Sequence, residues 1–290
     1  ICGPHVCRFC SVFPVWLLHA IGWVLGWFAF VLSPTYRRRL VAHARLAGYS
    51  LAQVRGAIGH AGCMVAELPR MWLGRPVASE WRNTACVEEA YAKGRGVVYL
   101  SPHVGGFESL PQAAAALFGQ RFGPVTVLYR PARQPWLAEV MAASRSRPGI
   151  EMAPTNLSGV RQMIKALRRG HGVGLLPDQV PPEGQGLWSP VFGRKAYTMT
   201  LAARLVQQTG AQVLLVRSER LSWGRGFVLH ACAMQEPLAA DTATAVAQIN
   251  AEMERLIRAC PAQYLWGYGR YKQPRRETPE KLPEKLQDKV

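Results

Sequence analysis

Short apolar runs alternate with longer amphipathic stretches through the middle of the chain. Four runs rich in β-branched residues predict buried strands at 96–101, 124–130, 172–177 and 211–218. Stretches with helical spacing separate them, at roughly 108–118, 136–147, 158–169 and 199–209. Continuous apolar strands joined by helices predict an α/β fold with a central, mostly parallel mixed sheet flanked by helices.

The longest uncharged segment lies near the N-terminus, at residues 12–32, VFPVWLLHAIGWVLGWFAFVL. A helix needs about 20 apolar residues to cross a bilayer, so a membrane anchor, a signal peptide and a buried core helix all compete here. The segment lacks a small-residue cleavage site and leads into three arginines at 37–39, which disfavours a removed signal. We therefore expect residues 1–33 to be a membrane anchor. Three tryptophans at helical spacing leave open whether it spans the bilayer or lies in the interface.

The chain carries a net charge of +17, which predicts an anionic partner. Composition alone does not choose between nucleic acid, a membrane surface and an acidic protein. Residues 34–73 have a helical, basic pattern, typical either of a solvated face or of a surface that meets anionic headgroups. The arginines after the apolar run place the downstream chain in the cytoplasm by the positive-inside rule. We see no recognised nucleic-acid-binding module and expect no nucleic-acid partner.

Seven cysteines are spread over the chain, an odd number that favours reduced thiols over a disulfide framework. Cys7 and Cys10 form one isolated CxxC pair, which does not by itself specify a metal site. The chain divides into the anchor, one α/β domain at 34–272, and a flexible tail at 273–290 that is rich in proline and charge. We expect neither a metal nor a cofactor.

Candidate chemistry falls where the predicted strands end, which is where ligands bind in parallel sheets. His103 follows the first strand, Arg130 the second and Asp178 the third. In the segment SPHVGGFES, His103 and Glu108 would point about 140° apart on a helix with about 3.6 residues per turn. Gly105 and Gly106 permit a tight turn instead, which would let the Glu108 carboxylate fold back onto the imidazole.

A carboxylate on one ring nitrogen leaves the other nitrogen free to accept a proton from a hydroxyl. The pattern therefore predicts a general-base dyad, and a capping His-Glu pair at a strand-to-helix turn is the structural alternative. The sequence has no Gly-x-Ser-x-Gly elbow, which makes a serine nucleophile less natural.

Six segments occur in a defined order: HxxxxE at 103–108, YRP at 129–131, MIKALRRG at 163–170, LPDQ at 176–179, PVFGRKAYTMT at 190–200 and PAQYLWGYGRYK at 261–272. The ordered set resembles the bacterial lipid A late acyltransferases, the lauroyl and myristoyl transferases of the wider glycerolipid acyltransferase superfamily. The resemblance implies an enzyme on the cytoplasmic face of the bacterial inner membrane. It would move a fatty acyl chain from an acyl carrier protein thioester to a hydroxyl of a lipid A precursor.

The resemblance also assigns roles to residues. His103 and Glu108 correspond to the base and its orienting acid. An arginine upstream of the LPDQ aspartate corresponds to Arg147, with Arg145 close by, and either would balance a thioester oxyanion or hold a lipid phosphate while Asp178 orients it. Arg130 is a further substrate-binding candidate, with a structural ion pair at the strand end as its alternative.

Between the His and the Glu, many members of that family carry Asn and an aromatic Trp or Tyr, where this chain has Gly106 and Phe107. This departure leaves the acceptor lipid and the acyl length open. A second hypothesis is acylation of another membrane lipid, such as a lysophospholipid or an amino-acid lipid, from acyl carrier protein or acyl-coenzyme A. A basic, membrane-tethered adaptor without chemistry is the non-enzymatic alternative.

Overall fold

The computed structural model describes residues 4–129 and 148–276. Their largest sheet has seven strands in the order β1-β9-β8-β2-β5-β3-β4. The strands are β1 (Ser79–Arg82), β2 (Val97–Leu100), β3 (Val125–Tyr129), β4 (Ile150–Pro154), β5 (Gly172–Leu175), β8 (Gln212–Arg220) and β9 (Phe227–Ala233). β8 and β9 pair antiparallel, and every other pairing in this sheet is parallel. The fold is therefore the mixed, mostly parallel α/β architecture that the sequence predicts.

A separate antiparallel hairpin, β6 (Gly186–Val191) and β7 (Arg194–Met199), follows β5. The described helices are α1 (Pro4–Ser11), α2 (Val15–Leu32), α3 (Pro34–Leu46), α4 (Leu51–Val54), α5 (Gly56–Leu73), α6 (Ala85–Ala92), α7 (Leu110–Phe122), α8 (Leu157–Arg168), α9 (Leu201–Thr209) and α10 (Thr242–Ala259). Three short 3₁₀ turns occupy Phe107–Ser109, Ser222–Gly224 and Pro261–Gln263.

Helices cover both faces of the sheet because successive strand residues point to opposite sides. On one face, Val98 and Leu100 of β2 pack in a buried cluster with side chains of α8, α9 and α10. On the other face, Val97 and Tyr99 pack with α6 and with Phe118 of α7. Burial on both faces explains why these strands read as continuous apolar runs.

The N-terminal helices α2 and α5 pack antiparallel and very closely. A Cβ on Gly62 would lie 1.8 Å from the carbonyl oxygen of Gly22, and a Cβ on Gly26 would lie 2.2 Å from that of Ile58. Only glycine allows backbones to approach this far. The apolar segment therefore packs against the α/β domain along its length.

All four predicted strands and three of the four predicted helices are present. The fourth helix, at 136–147, lies outside the described residues. The sequence did not predict β1, β4, β9, the β6–β7 hairpin, α6 or α10. Several of these are edge or exposed elements whose apolar pattern is interrupted by charge, such as SEWR in β1.

Candidate active site

The site lies at the carboxyl ends of β2 and β5, which are parallel neighbours with Leu100 opposite Leu175. His103 and Asp178 each follow their strand by three residues, and the two side chains meet. His103 Nδ1 lies 2.6 Å from Asp178 Oδ1, and the backbone N–H of His103 donates to Oδ2 at 2.9 Å. One carboxylate therefore holds both the ring and the main chain of the histidine.

The Asp178 carboxylate is buried, yet it stays ionised. Burial alone would raise its pKa, but the imidazole of His103 and its hydrogen bonds lower the pKa of Asp178 below the ordinary value. An ionised carboxylate only accepts hydrogen bonds, so Nδ1 of His103 carries the proton. Nε2 is then the basic nitrogen, and the side-chain amide of Gln179 donates to it at 2.9 Å.

Glu108 does not form the expected contact with His103. Its Oε2 instead accepts a hydrogen bond from the indole Nε1 of Trp72 at 3.2 Å. The 3₁₀ turn at Phe107–Ser109 brings the ring of Phe107 against His103, with centroids 4.6 Å apart, while Asp178 occupies Nδ1. His103 and Glu108 nevertheless line the same cavity.

The turn between His103 and Glu108 is held tightly against β8 and β9. Gly105 has φ +57°, and a Cβ there would lie 1.9 Å from the carbonyl oxygen of Ser218. A Cβ on Gly106 would lie 2.0 Å from the ring of Phe227. Neither position has room for a Cβ, so glycine is required at both. Gly105 is also required because its backbone is left-handed.

A buried ionic network supports this turn from behind. Arg220, at the end of β8, donates to the carbonyl oxygen of Gly105 at 2.8 Å and forms two hydrogen bonds to Glu67 of α5, at 2.5 and 2.9 Å. Glu67 also receives a hydrogen bond from His19 of α2 at 2.8 Å. Arg220 is 3% exposed and Glu67 1% exposed, so neither charge has access to water.

Both members of this pair remain charged. Burial alone would raise the pKa of Glu67, but the charge of Arg220 and the hydrogen bonds from Arg220 and His19 lower it. Burial and the Arg220 charge lower the pKa of nearby His60 to about 3, so His60 is neutral and its Nδ1 accepts from Arg220 at 3.2 Å. Sequence reasoning missed this network. Its one signal was the presence of charged residues in two otherwise apolar elements, Glu67 in α5 and Arg220 in β8.

A cavity of about 930 Å³ opens in front of His103. Glu108, Gln179, Thr200 and Arg204 supply polar groups to its lining. Much of the remaining wall is apolar and comprises Val127, Leu128, Ile150, Met152, Leu157, Val160, Leu176, Met199, Leu201 and Leu205. The volume and the combination of a mainly apolar wall with several polar side chains are typical of a small-molecule or lipid site.

The three arginine candidates, Arg130, Arg145 and Arg147, lie outside the described residues. Their predicted contacts with substrate or with Asp178 stay predictions. Within the described structure another guanidinium contributes to the field at Asp178, that of buried Arg270. Arg270 donates to the carbonyl oxygen of Tyr197 at 2.6 Å and to Thr198 Oγ1 at 2.5 Å, which ties the GYGRYK segment to β7.

Comparison with known proteins identifies the family. The family model described as "Bacterial lipid A biosynthesis acyltransferase" matches residues 57–273. The chain is 27% identical over 227 residues to the lipid A biosynthesis lauroyltransferase of Escherichia coli (strain K12), covering 77% of this chain and 70% of that protein. It is also 27% identical over 190 residues to the lipid A biosynthesis palmitoleoyltransferase of the same organism.

That second match covers 64% of this chain and 59% of the relative. A third relative, the lipid A biosynthesis myristoyltransferase of Escherichia coli (strain K12), is 24% identical over 193 residues, 64% of this chain and 57% of its own length. The chain thus spans about three fifths of the length of most of these relatives. The matched region contains the whole His103 site and its cavity, and the chain therefore belongs to the bacterial lipid A biosynthesis acyltransferase family and is an acyltransferase.

Proposed function

We propose that this acyltransferase moves a fatty acyl chain from an acyl carrier protein thioester to a hydroxyl of a lipid A precursor, with His103 as general base. The observation that carries the proposal is the pairing of His103 Nδ1 with buried Asp178 at the edge of a large, mostly apolar cavity. The arrangement leaves Nε2 as the proton acceptor on the cavity side. The family membership supports lipid A as the class of acceptor.

The reaction begins when the acceptor hydroxyl replaces the Gln179 amide at Nε2. The imidazole takes the hydroxyl proton as the oxygen attacks the thioester carbonyl carbon. The tetrahedral intermediate collapses with cleavage of the C–S bond, and the proton passes from the imidazolium to the leaving thiolate. Asp178 stabilises the imidazolium between these two transfers.

Glu108 remains a catalytic candidate in this scheme. Because Trp72 holds its carboxylate at the cavity wall, Glu108 is placed to accept a hydrogen bond from the acceptor's hydroxyl groups and to orient them toward His103. Arg145 and Arg147 are proposed to meet the thioester oxyanion or a lipid phosphate. Arg130 is proposed as a further phosphate contact.

The same proposal includes location at the cytoplasmic face of the inner membrane. Within the described residues, α2 is the one helix long and apolar enough to cross a bilayer, and it exposes many apolar side chains. The net charge of +17 favours both anionic headgroups and an acidic carrier protein. The apolar cavity wall would receive the acyl chain.

The test is acyl transfer by the purified protein, followed by mass spectrometry of the lipid. Wild-type protein is given a series of acyl carrier protein thioesters together with a lipid A precursor. Mass gain by one acyl chain is the expected result, and His103→Ala should abolish most of it. His230→Ala is the matched control, because His230 pairs with Glu219 and does not line the cavity.

Two other acceptor and donor classes are outcomes of the same experiment. Product with a lysophospholipid or amino-acid lipid, but none with the lipid A precursor, would assign the alternative acceptor. Transfer from acyl-coenzyme A but not from the carrier protein would reject the proposed donor. No transfer from any donor would contradict the proposal.

A further inference from the structure

Helix α2 has two faces of different character. Its buried stripe contains glycines and a histidine and comprises Val15, Leu18, His19, Gly22, Gly26 and Phe30. The rest of the helix is uncharged, and its exposed large side chains include Trp16, Ile21, Val24, Leu25, Phe28, Val31 and Leu32. A surface of this size without a charge calls for an apolar partner.

The domain holds α2 at both ends and in the middle. At its start, a Cβ on Gly224 of the β8–β9 turn would lie 2.3 Å from the backbone nitrogen of Trp16. His19, in the second turn, bonds Glu67, and in the middle Gly22 and Gly26 lie against the backbone of α5. At its end, Phe30 belongs to a buried cluster with Leu40. If α2 crossed the bilayer with these contacts intact, its first residues would lie on the far side of the membrane. The β8–β9 turn, which packs against Trp16, would have to lie there too.

Basic residues lie at both ends of the exposed face. Arg37, Arg38 and Arg39 follow the end of α2 and are exposed. Arg8 precedes its start, and exposed Arg75 lies there too, because Gly74 packs against the backbone of Ser11. A crossing helix would put one of these groups on the far side of the membrane, against the positive-inside bias. A helix lying flat puts both in one anionic headgroup layer.

The β8–β9 turn extends the same surface. Trp223 is 85% exposed and has φ +61°, a backbone conformation that bulky residues rarely adopt. The turn lies against Trp16, whose side chain is also exposed. An indole presented to solvent beside an apolar helix matches the preference of tryptophan for the membrane interface.

We infer that α2 lies in one leaflet, parallel to the membrane surface, and that Trp223 inserts beside it as a second contact. The partner is the interfacial layer of an anionic bilayer. The buried stripe of α2 faces α5, and the opposite face meets the acyl chains. This inference rests on the membrane location in the proposed function and specifies how the protein binds there.

Topology is tested on the full chain with a protease-cleavable tag before Ile1 and another after Val290. In inverted inner-membrane vesicles, whose cytoplasmic face is outward, we expect protease to release both tags without detergent. Right-side-out spheroplasts should release neither. An N-terminal tag that needs detergent in inverted vesicles, or is cleaved in spheroplasts, would show that α2 crosses and overturn the inference.

The Trp223 contact is tested by flotation with vesicles of phosphatidylethanolamine and phosphatidylglycerol. Trp223→Ser should lower the bound fraction several-fold at high salt, where electrostatic attraction is screened. Trp188→Ser is the matched control, since Trp188 is a partly exposed tryptophan on the β6–β7 hairpin. Equal binding by wild type and Trp223→Ser, or an equal loss in both variants, would reject the contact.

A second copy of the chain is the competing occupant of this surface. In that case the protein would sediment as a dimer and fail to float with protein-free vesicles, which would overturn the inference. Neither measurement requires acyl transfer, so failure of this topology is distinguishable from failure of the proposed reaction.

Discussion

Arg220 and Glu67 form a buried, two-point ion pair that joins the end of β8 to the middle of α5. The same guanidinium donates to the carbonyl oxygen of Gly105, two residues beyond His103. The pair therefore supports the turn on which the candidate base lies. Its strength depends on both partners, because removing one leaves a charge without water or a counterion.

Glu67→Gln should lower the free energy of unfolding by about 3–5 kcal/mol, the usual effect of breaking a buried pair. Glu80→Gln is the control, because its pair with Arg82 is exposed and surface pairs contribute about 0–1 kcal/mol. Urea denaturation of both variants measures the difference. A similarly small loss of unfolding free energy in both variants would show that other groups stabilise the Arg220 charge when Glu67 is neutral.

Acid should destabilise the protein through Glu67 and Asp178. Both have lowered pKa values in the folded state, so their contribution is present above the ordinary carboxyl pKa of about 4 and is lost as the pH falls through the folded values. Stability measured by denaturant between neutral pH and acid should fall in wild type. The free energy of unfolding should fall less steeply with decreasing pH in Asp178→Asn than in wild type. An identical slope would contradict a lowered pKa of Asp178 in the folded protein.

Asp178→Asn should reduce kcat more than Glu108→Gln does. The amide removes the charge that fixes the Nδ1 proton and stabilises the imidazolium, and we expect a loss of about 10²–10⁴, similar to that of His103→Ala. Steady-state kinetics on the three variants measure which substitution lowers kcat most, and thermal melts confirm that each variant is folded. A larger loss in Glu108→Gln would make Glu108 the partner of His103 in the working enzyme.

Arg147→Ala distinguishes two roles for its guanidinium. A loss confined to kcat would indicate contact with charge that develops in the transition state, whereas a rise in KM alone would indicate a ground-state phosphate contact. We expect a lower kcat, and Arg145→Ala serves as the neighbouring comparison. Full activity in both variants would remove these arginines from the proposed site.

Gly105→Ala should impair both folding and turnover. Its backbone is left-handed, and the new Cβ would lie 1.9 Å from the carbonyl oxygen of Ser218. Gly94→Ala is the control for the cost of the left-handed backbone alone, because Gly94 has φ +68° and a Cβ there meets nothing within 4 Å. The control should lose about 1–2 kcal/mol of stability and keep its kcat. Equal effects would show that close packing of the turn is unimportant.

The sequence by itself predicted the four central strands of the sheet, β2, β3, β5 and β8, because strands that are buried on both faces are continuous apolar runs such as VVYL in β2. It also located His103 and Asp178, since residues after parallel strands share one edge of the sheet. Motifs in a defined order predicted the acyltransferase family, which the family match confirms. The apolar runs and the motifs are local sequence patterns, and the position of His103 and Asp178 follows from the strands that precede them.

Tertiary structure decided which carboxylate meets His103. Asp178 and Glu108 are both within reach in principle, and the choice depends on strand neighbours and on the 3₁₀ turn that brings Glu108 to Trp72. The Arg220–Glu67 pair likewise joins residues 153 positions apart, so no local pattern predicts it. Pairings of this kind arise from the packing of distant elements, where burial makes each charge depend on one partner.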